Sequence, residues 1–181
     1  MIILLTGATH TGKTLLAQRL LERFQWPYLC IDHLKMGLIR SGQTYLTPED
    51  DEKLTDYLWP IVREIVKTAI ENRQNLIIEG CYIPFDWRRG FDENYLPFIR
   101  FLCLAMTDNY IDAHFDDIQS HASVIEARLD DSGLSPKGLK RENRLYINGF
   151  RGRGEPVLLI EDDYEQTLRN LIDLMTGKEP E

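Results

Sequence analysis

The chain has 181 residues and a formal net charge of −8. That length fits one domain, and shares of 43% hydrophobic and 28% charged residues fit a packed core rather than disorder or a low-complexity fibre. The acidic balance argues against a nucleic-acid partner, which calls for basic surface, and the widely spaced Cys30, Cys81 and Cys103 suit neither a disulfide framework nor a zinc site.

The first five residues are apolar, but no basic flank precedes them, so they do not read as a leader. No apolar run approaches the roughly 18 residues of a membrane span. The expectation is a cytoplasmic protein without a membrane partner. Ile2 to Leu5 reads as a strand buried on both faces, and the repeat of Leu15, Leu16, Leu20, Leu21 and Phe24 predicts a helix from Thr14 to Phe24. A second strand spans Tyr28 to Ile31 and ends at Asp32, and His33 to Arg40 reads as a helix broken at Ser41-Gly42. Thr47-Pro48-Glu49-Asp50 has the hydroxyl, proline and acids of a helix start. That helix is expected to end or kink at Pro60, with an apolar stripe continuing to about Asn72.

Leu76 to Ile78 reads as a third strand, ending at Glu79-Gly80, and Phe98 to Met106 contains a fourth. A helix is expected from Tyr110 to Leu129, followed by a stretch from Asp130 to Glu155 rich in glycine and charge. Val157 to Ile160 is the fifth strand, ending at Glu161-Asp162-Asp163, and Tyr164 to Met175 is the last helix. Apolar strands alternating with helices imply an α/β fold whose parallel sheet is covered on both faces. Ligands of such sheets bind at the carboxyl ends of the strands.

The first strand end reads Gly7-Ala8-Thr9-His10-Thr11-Gly12-Lys13-Thr14, which satisfies G-x-x-x-x-G-K-[ST] at every specified position. The motif also follows a strand and opens a helix, as its chemistry requires. Its glycines let the backbone close around an anion, and successive N–H groups at the helix start point at phosphate. Lys13 reaches the outer phosphates and Thr14 offers its hydroxyl to Mg²⁺. Gly7, Ala8, Thr9, His10, Thr11, Gly12, Lys13 and Thr14 are therefore the candidate ATP-binding residues, with ATP and Mg²⁺ as cofactors. No N/T-K-x-D guanine-reading motif follows.

At the other strand ends, Asp32 can orient an acceptor hydroxyl and take its proton, hold magnesium-bound water, or cap the helix that follows. Glu79 precedes Gly80 at the end of the third strand. Lys137, Lys140, Arg141, Arg144, Arg151 and Arg153 make a cationic island opposed only by Glu142, which suits an anionic partner. The four histidines show no metal-ligand spacing.

With these residues, the chain resembles the small P-loop kinases: the adenylate kinase, shikimate–gluconate kinase and zeta-toxin-like group, with 2-phosphoglycerate kinase-like bacterial proteins beside it. The resemblance is specific at Gly7–Thr14 and looser at Asp32, Glu79-Gly80 and the basic stretch. It implies a single domain, 1–181, with the three-layer P-loop NTPase fold, sheet order 2-3-1-4-5 and a small lid. It places an acceptor-binding helical segment at about 33–72 and the lid at about 128–154. It implies Lys13, Asp32, Arg128 and Arg144 as catalytic, Asp32, Arg40, Gly80 and Arg88 as acceptor-binding, and Thr14 with Glu79 on the metal side. The activity so implied is transfer of the γ-phosphoryl group of ATP·Mg²⁺ to a small-molecule acceptor. The alternative is an ATP-binding regulatory NTPase with no such acceptor.

Overall fold

Burial along the first strand, β1 (Ile2–Gly7), is complete, and its side chains divide between two cores. Ile2 and Leu4 join one cluster; Ile3 and Leu5 join another on the opposite face. This follows from the strand's period of two in a sheet covered on both sides. The computed structural model describes residues 1–120 and 134–176, with side chains through residue 173. Among these residues, five strands form one parallel sheet in the order β2-β3-β1-β4-β5. The others are β2 (Tyr28–Cys30), β3 (Leu76–Glu79), β4 (Ile99–Met106) and β5 (Val157–Ile160). The order is the one the resemblance implies.

Among the described residues, six α-helices accompany the sheet: α1 (Lys13–Phe24), α2 (Ile31–Arg40), α3 (Asp51–Glu71), α4 (Asp108–Ser120), α5 (Pro136–Arg151) and α6 (Tyr164–Thr176). Leu16 and Leu20 of α1 and Leu168 and Leu171 of α6 pack with Ile3 and Leu5. On the other face, Leu54, Leu58, Val62 and Val66 of α3 and Phe150 of α5 meet Ile2 and Leu4. A third cluster joins Met106 at the end of β4 to Ile111 and Ile118 of α4 and to Leu139 of α5.

Several boundaries differ from expectation. Asp32 does not end a strand: β2 stops at Cys30, and Asp32 lies in the first turn of α2. α3 begins at Asp51 rather than Thr47, because the Thr47 N–H and hydroxyl both donate to Asp50 Oδ2 at 3.0 Å and close a turn ahead of the helix. It then runs through Pro60 as one helix, the burial of Leu58, Trp59 and Val62 outweighing the lost hydrogen bond. α4 is kinked at His114, where φ is −124° and ψ 21°. The remainder of the helix expected to Leu129 lies outside the described residues.

α5 is an addition to the expected elements. Ser135 caps it by accepting the Gly138 N–H at 3.2 Å, and Pro136 begins its first turn. Between β3 and β4 the chain makes no α-helix; two 3-10 turns, Trp87–Gly90 and Leu96–Phe98, carry it back under the sheet. Trp87 stacks on Phe101 with ring centroids 5.4 Å apart. Among the described residues, no helix is long and apolar enough to cross a membrane.

Register fixes where the strand ends meet. Leu5 pairs with Glu79, and Glu79 pairs with Cys30. The turn from β1 into α1, the end of β3 and the start of α2 therefore share one rim of the sheet.

Candidate nucleotide and acceptor site

The loop from Gly7 to Lys13 folds back on itself. His10 and Gly12 take left-handed backbone angles, with φ of 61° and 77°. The Thr11 hydroxyl and Lys13 Nζ each donate to the Ala8 carbonyl oxygen at 2.8 Å. Gly12 meets two demands at once: its φ disfavours a side chain, and a Cβ there would stand 1.7 Å from the Tyr164 hydroxyl. Lys13 is 7% exposed. Burial works against its ammonium, but the Cys81 sulfur and the Glu79 and Glu142 carboxylates work for it, and the balance lies above the ordinary lysine value. The lysine is a fixed cation at the mouth of the loop.

Thr14 opens the first turn of α1 beside Glu79. Its hydroxyl lies 3.5 Å from each carboxylate oxygen of Glu79, which is 1% exposed. Cys30 also faces Glu79; burial, the negative charge of Glu79 and a hydrogen bond to it push the Cys30 thiol well above its usual range. The Thr14 hydroxyl and the Glu79 carboxylate are hard oxygen donors and fit Mg²⁺, which needs only one or two protein oxygens when phosphates and water supply the others. No group of three His, Cys, Asp or Glu side chains that could hold a metal occurs among the described residues.

Asp32 heads a chain of polar contacts at the start of α2. Lys35 Nζ donates to Asp32 Oδ1 at 2.6 Å and to the Tyr82 hydroxyl at 2.9 Å, and that hydroxyl donates to Asp51 Oδ1 at 3.1 Å. Burial pulls the Lys35 ammonium down; the hydrogen bonds to Asp32 and Tyr82 overcome it and hold the value above an ordinary lysine. The carboxylate of Asp32 is thus held in place while remaining partly open to solvent. Gly80 lies against α2, where an added Cβ would come within 2.8 Å of Ile31 Cβ.

The arginines are dispersed. Arg40 closes α2 and is exposed. Arg88 pairs through Nε and Nη2 with Glu155 in the turn before β5, and its guanidinium lies over the Trp87 ring. Trp87 stacks on Phe101, which pairs with Leu4, three residues back from Gly7 and thus about 10 Å from the loop at the rise of a strand. Arg144 stands at the rim bearing the loop, but its guanidinium pairs with Asp108 at the start of α4. Arg128 lies outside the described residues. Lys13, Thr14, Asp32, Glu79 and Gly80 are thus gathered at one rim, whereas Arg40 is exposed at the last turn of α2 and Arg88 is paired with Glu155.

Three contacts of α5 escaped the reading of the sequence. The Thr9 N–H donates to Glu142 Oε1 at 2.7 Å. Asn143, fully buried, accepts the Met106 N–H at 2.7 Å and donates to the Leu139 carbonyl at 2.8 Å. The Tyr146 hydroxyl donates to the Cys81 carbonyl at 3.0 Å. The helix therefore touches the phosphate loop, the end of β4 and the chain after β3. In the sequence, the only trace of this was a single acid inside a basic run.

No protein-family model matches the chain, and no curated protein matches it. Solved structures do match along nearly its whole length. A protein from Chloroflexus aurantiacus, provisionally called a kinase, superposes with a TM-score of 0.56 at 18% identity, over 97% of this chain and 96% of its own. A sugar kinase from Janibacter sp. gives 0.54 at 15% identity, over 97% and 94%. Shikimate kinase from Aquifex aeolicus gives 0.50 at 16% identity, over 98% and 97%. At such identities the likeness is one of fold: this chain has the α/β architecture and the 2-3-1-4-5 parallel sheet found in structures of P-loop small-molecule kinases.

Proposed function

We propose that the chain is a kinase that transfers the γ-phosphoryl group of ATP to a hydroxyl of a small molecule. The observation that carries this reading is the rim itself: a buried Lys13 and a Thr14 hydroxyl at the start of α1, facing the Glu79 carboxylate, with Asp32 in the first turn of α2. Similarity of fold to a sugar kinase and to shikimate kinase supports it.

The backbone N–H groups of the loop and the first turn of α1 would hold the phosphates. Lys13 would turn from the Ala8 carbonyl to the β- and γ-phosphate oxygens and offset charge in the transition state. Thr14 and Glu79 would hold Mg²⁺, which on binding neutralises charge on the β- and γ-oxygens. Asp32 would orient the acceptor hydroxyl and accept its proton. The acceptor oxygen then bonds to the γ-phosphorus, the bond from that phosphorus to the β,γ-bridging oxygen breaks, and ADP leaves with those electrons. Gly80, bare where Ile31 packs against it, would let the start of α2, and with it Asp32, sit close to the end of β3.

The test is ADP formation by pure protein with ATP and Mg²⁺, with and without pooled acceptors. The pools span nucleoside monophosphates, nucleosides, sugar acids, phosphoglycerates, nucleotide sugars and antibiotics. One pool is expected to raise ADP release well above background. Uniform background rates with all pools, together with tight ATP binding, would instead favour a nucleotide-binding regulator.

A further inference from the structure

Glu142 is the sole acid between positions 137 and 153, in a run that contains six lysines and arginines. It reaches the Gly7–Thr14 loop, where its Oε1 takes the Thr9 N–H at 2.7 Å. Its charge is also felt by Lys13. These are the two kinds of donor that a phosphate loop offers to its ligand: a backbone N–H and a lysine ammonium. The contact is held by neighbouring anchors. Asn143 ties α5 to the Met106 N–H, and Tyr146, one turn on from Glu142, ties it to the Cys81 carbonyl. The helix therefore keeps a carboxylate aimed at the loop.

We propose that Glu142 is an internal occupant of the phosphate site, which a nucleoside polyphosphate must displace in order to bind. This rests on the reading of the loop as a nucleotide site. A carboxylate and a phosphate oxygen cannot share the same N–H, and side by side they repel. With three rotatable bonds, the Glu142 side chain can swing off Thr9 while Asn143 and Tyr146 hold the helix. The ligand that displaces it must carry more anionic charge than a single carboxylate. Di- and triphosphates of nucleosides meet this requirement, whereas uncharged nucleosides do not. The residue thus sets which ligands open the site, rather than taking part in the transfer.

The experiment is titration of ATP·Mg²⁺ into the full chain by calorimetry, with wild type, Glu142→Gln and Glu142→Ala compared. Gln keeps the shape and an oxygen for Thr9 but removes the charge; Ala removes both. Each variant is expected to bind ATP about tenfold more tightly, equivalent to 1.4 kcal/mol. Circular dichroism melts identify any variant that fails to fold, and the other variant then decides. Affinity equal to wild type within about twofold, or weaker, overturns the inference while leaving the nucleotide reading intact. Absence of ATP binding in all three proteins overturns both.

Discussion

Lys13 is the residue on which most of the proposed chemistry converges. Its ammonium is satisfied by the Ala8 carbonyl, and under the proposed mechanism that hydrogen bond would be exchanged for phosphate oxygens. Lys13→Ala is expected to lower acceptor-dependent turnover by about 10²-fold or more, a typical loss when one preorganised donor is removed. Steady-state ADP formation checks this, and normal turnover would remove the mechanism. Asp32→Asn separates chemistry from binding, because it keeps a Lys35 acceptor but removes the base. It is expected to abolish phosphoryl transfer while leaving the ATP affinity of wild type. Surviving transfer would reduce Asp32 to a positioning group for α2. Lys13, Thr14 and Asp32 were legible because each stands at a fixed offset from an apolar strand. Lys35, Tyr82 and Asp51 were not, since nothing in their spacing reveals a contact that spans 47 residues between Lys35 and Tyr82.

α5 shows how an element can hide. Between 130 and 155 the sequence shows mainly glycine and charge, yet 16 residues of that stretch form a helix. The buried positions are few, and Gly149 is a contact surface: a Cβ there would stand 2.4 Å from the Phe85 ring. A polar residue, Asn143, occupies the centre of the packed face. Burying it is tolerable because its amide satisfies the Met106 N–H and the Leu139 carbonyl. Asn143→Leu keeps the volume but strands the Met106 N–H, and should destabilise the protein by about 1–3 kcal/mol. Urea unfolding monitored by circular dichroism measures this; an unchanged midpoint would mean that the Met106 N–H has found another acceptor. The five strands, by contrast, were plain in the sequence, because parallel strands covered on both sides are written as continuous apolar runs.

At the scale of the whole molecule, the three cysteines, none of them in a disulfide, report on packing rather than on catalysis. Burial pushes Cys103 up to about 12 and also raises Cys30 well above the usual thiol range. Cys81, against the Gly7 carbonyl, is also raised, by burial foremost. Thiolate is the reactive form, so the raised values leave these residues protonated at neutral pH. Alkylation of Cys30 and Cys103 at pH 7 is expected to be slow in the native protein and to rise in step with unfolding by urea. Rapid native-state labelling of either, followed by mass spectrometry, would contradict the packing described. The two-faced core that protects them was foreshadowed by composition and by strand–helix alternation. The path from β3 to β4 was not, because its two short turns leave no periodic trace.

The strand order also bears on how the chain behaves among copies of itself. Among the described residues the rims of the sheet are β2, with three residues, and β5, with four, whereas β1 and β4 at the centre have six and eight. An exposed strand edge is a template on which another chain can add a strand, and length makes the template effective. Here the long apolar strands spend their backbone hydrogen bonds on internal neighbours, and only the shortest remain at the margins. The sheet that supports the phosphate loop thereby offers little purchase for edge-to-edge aggregation.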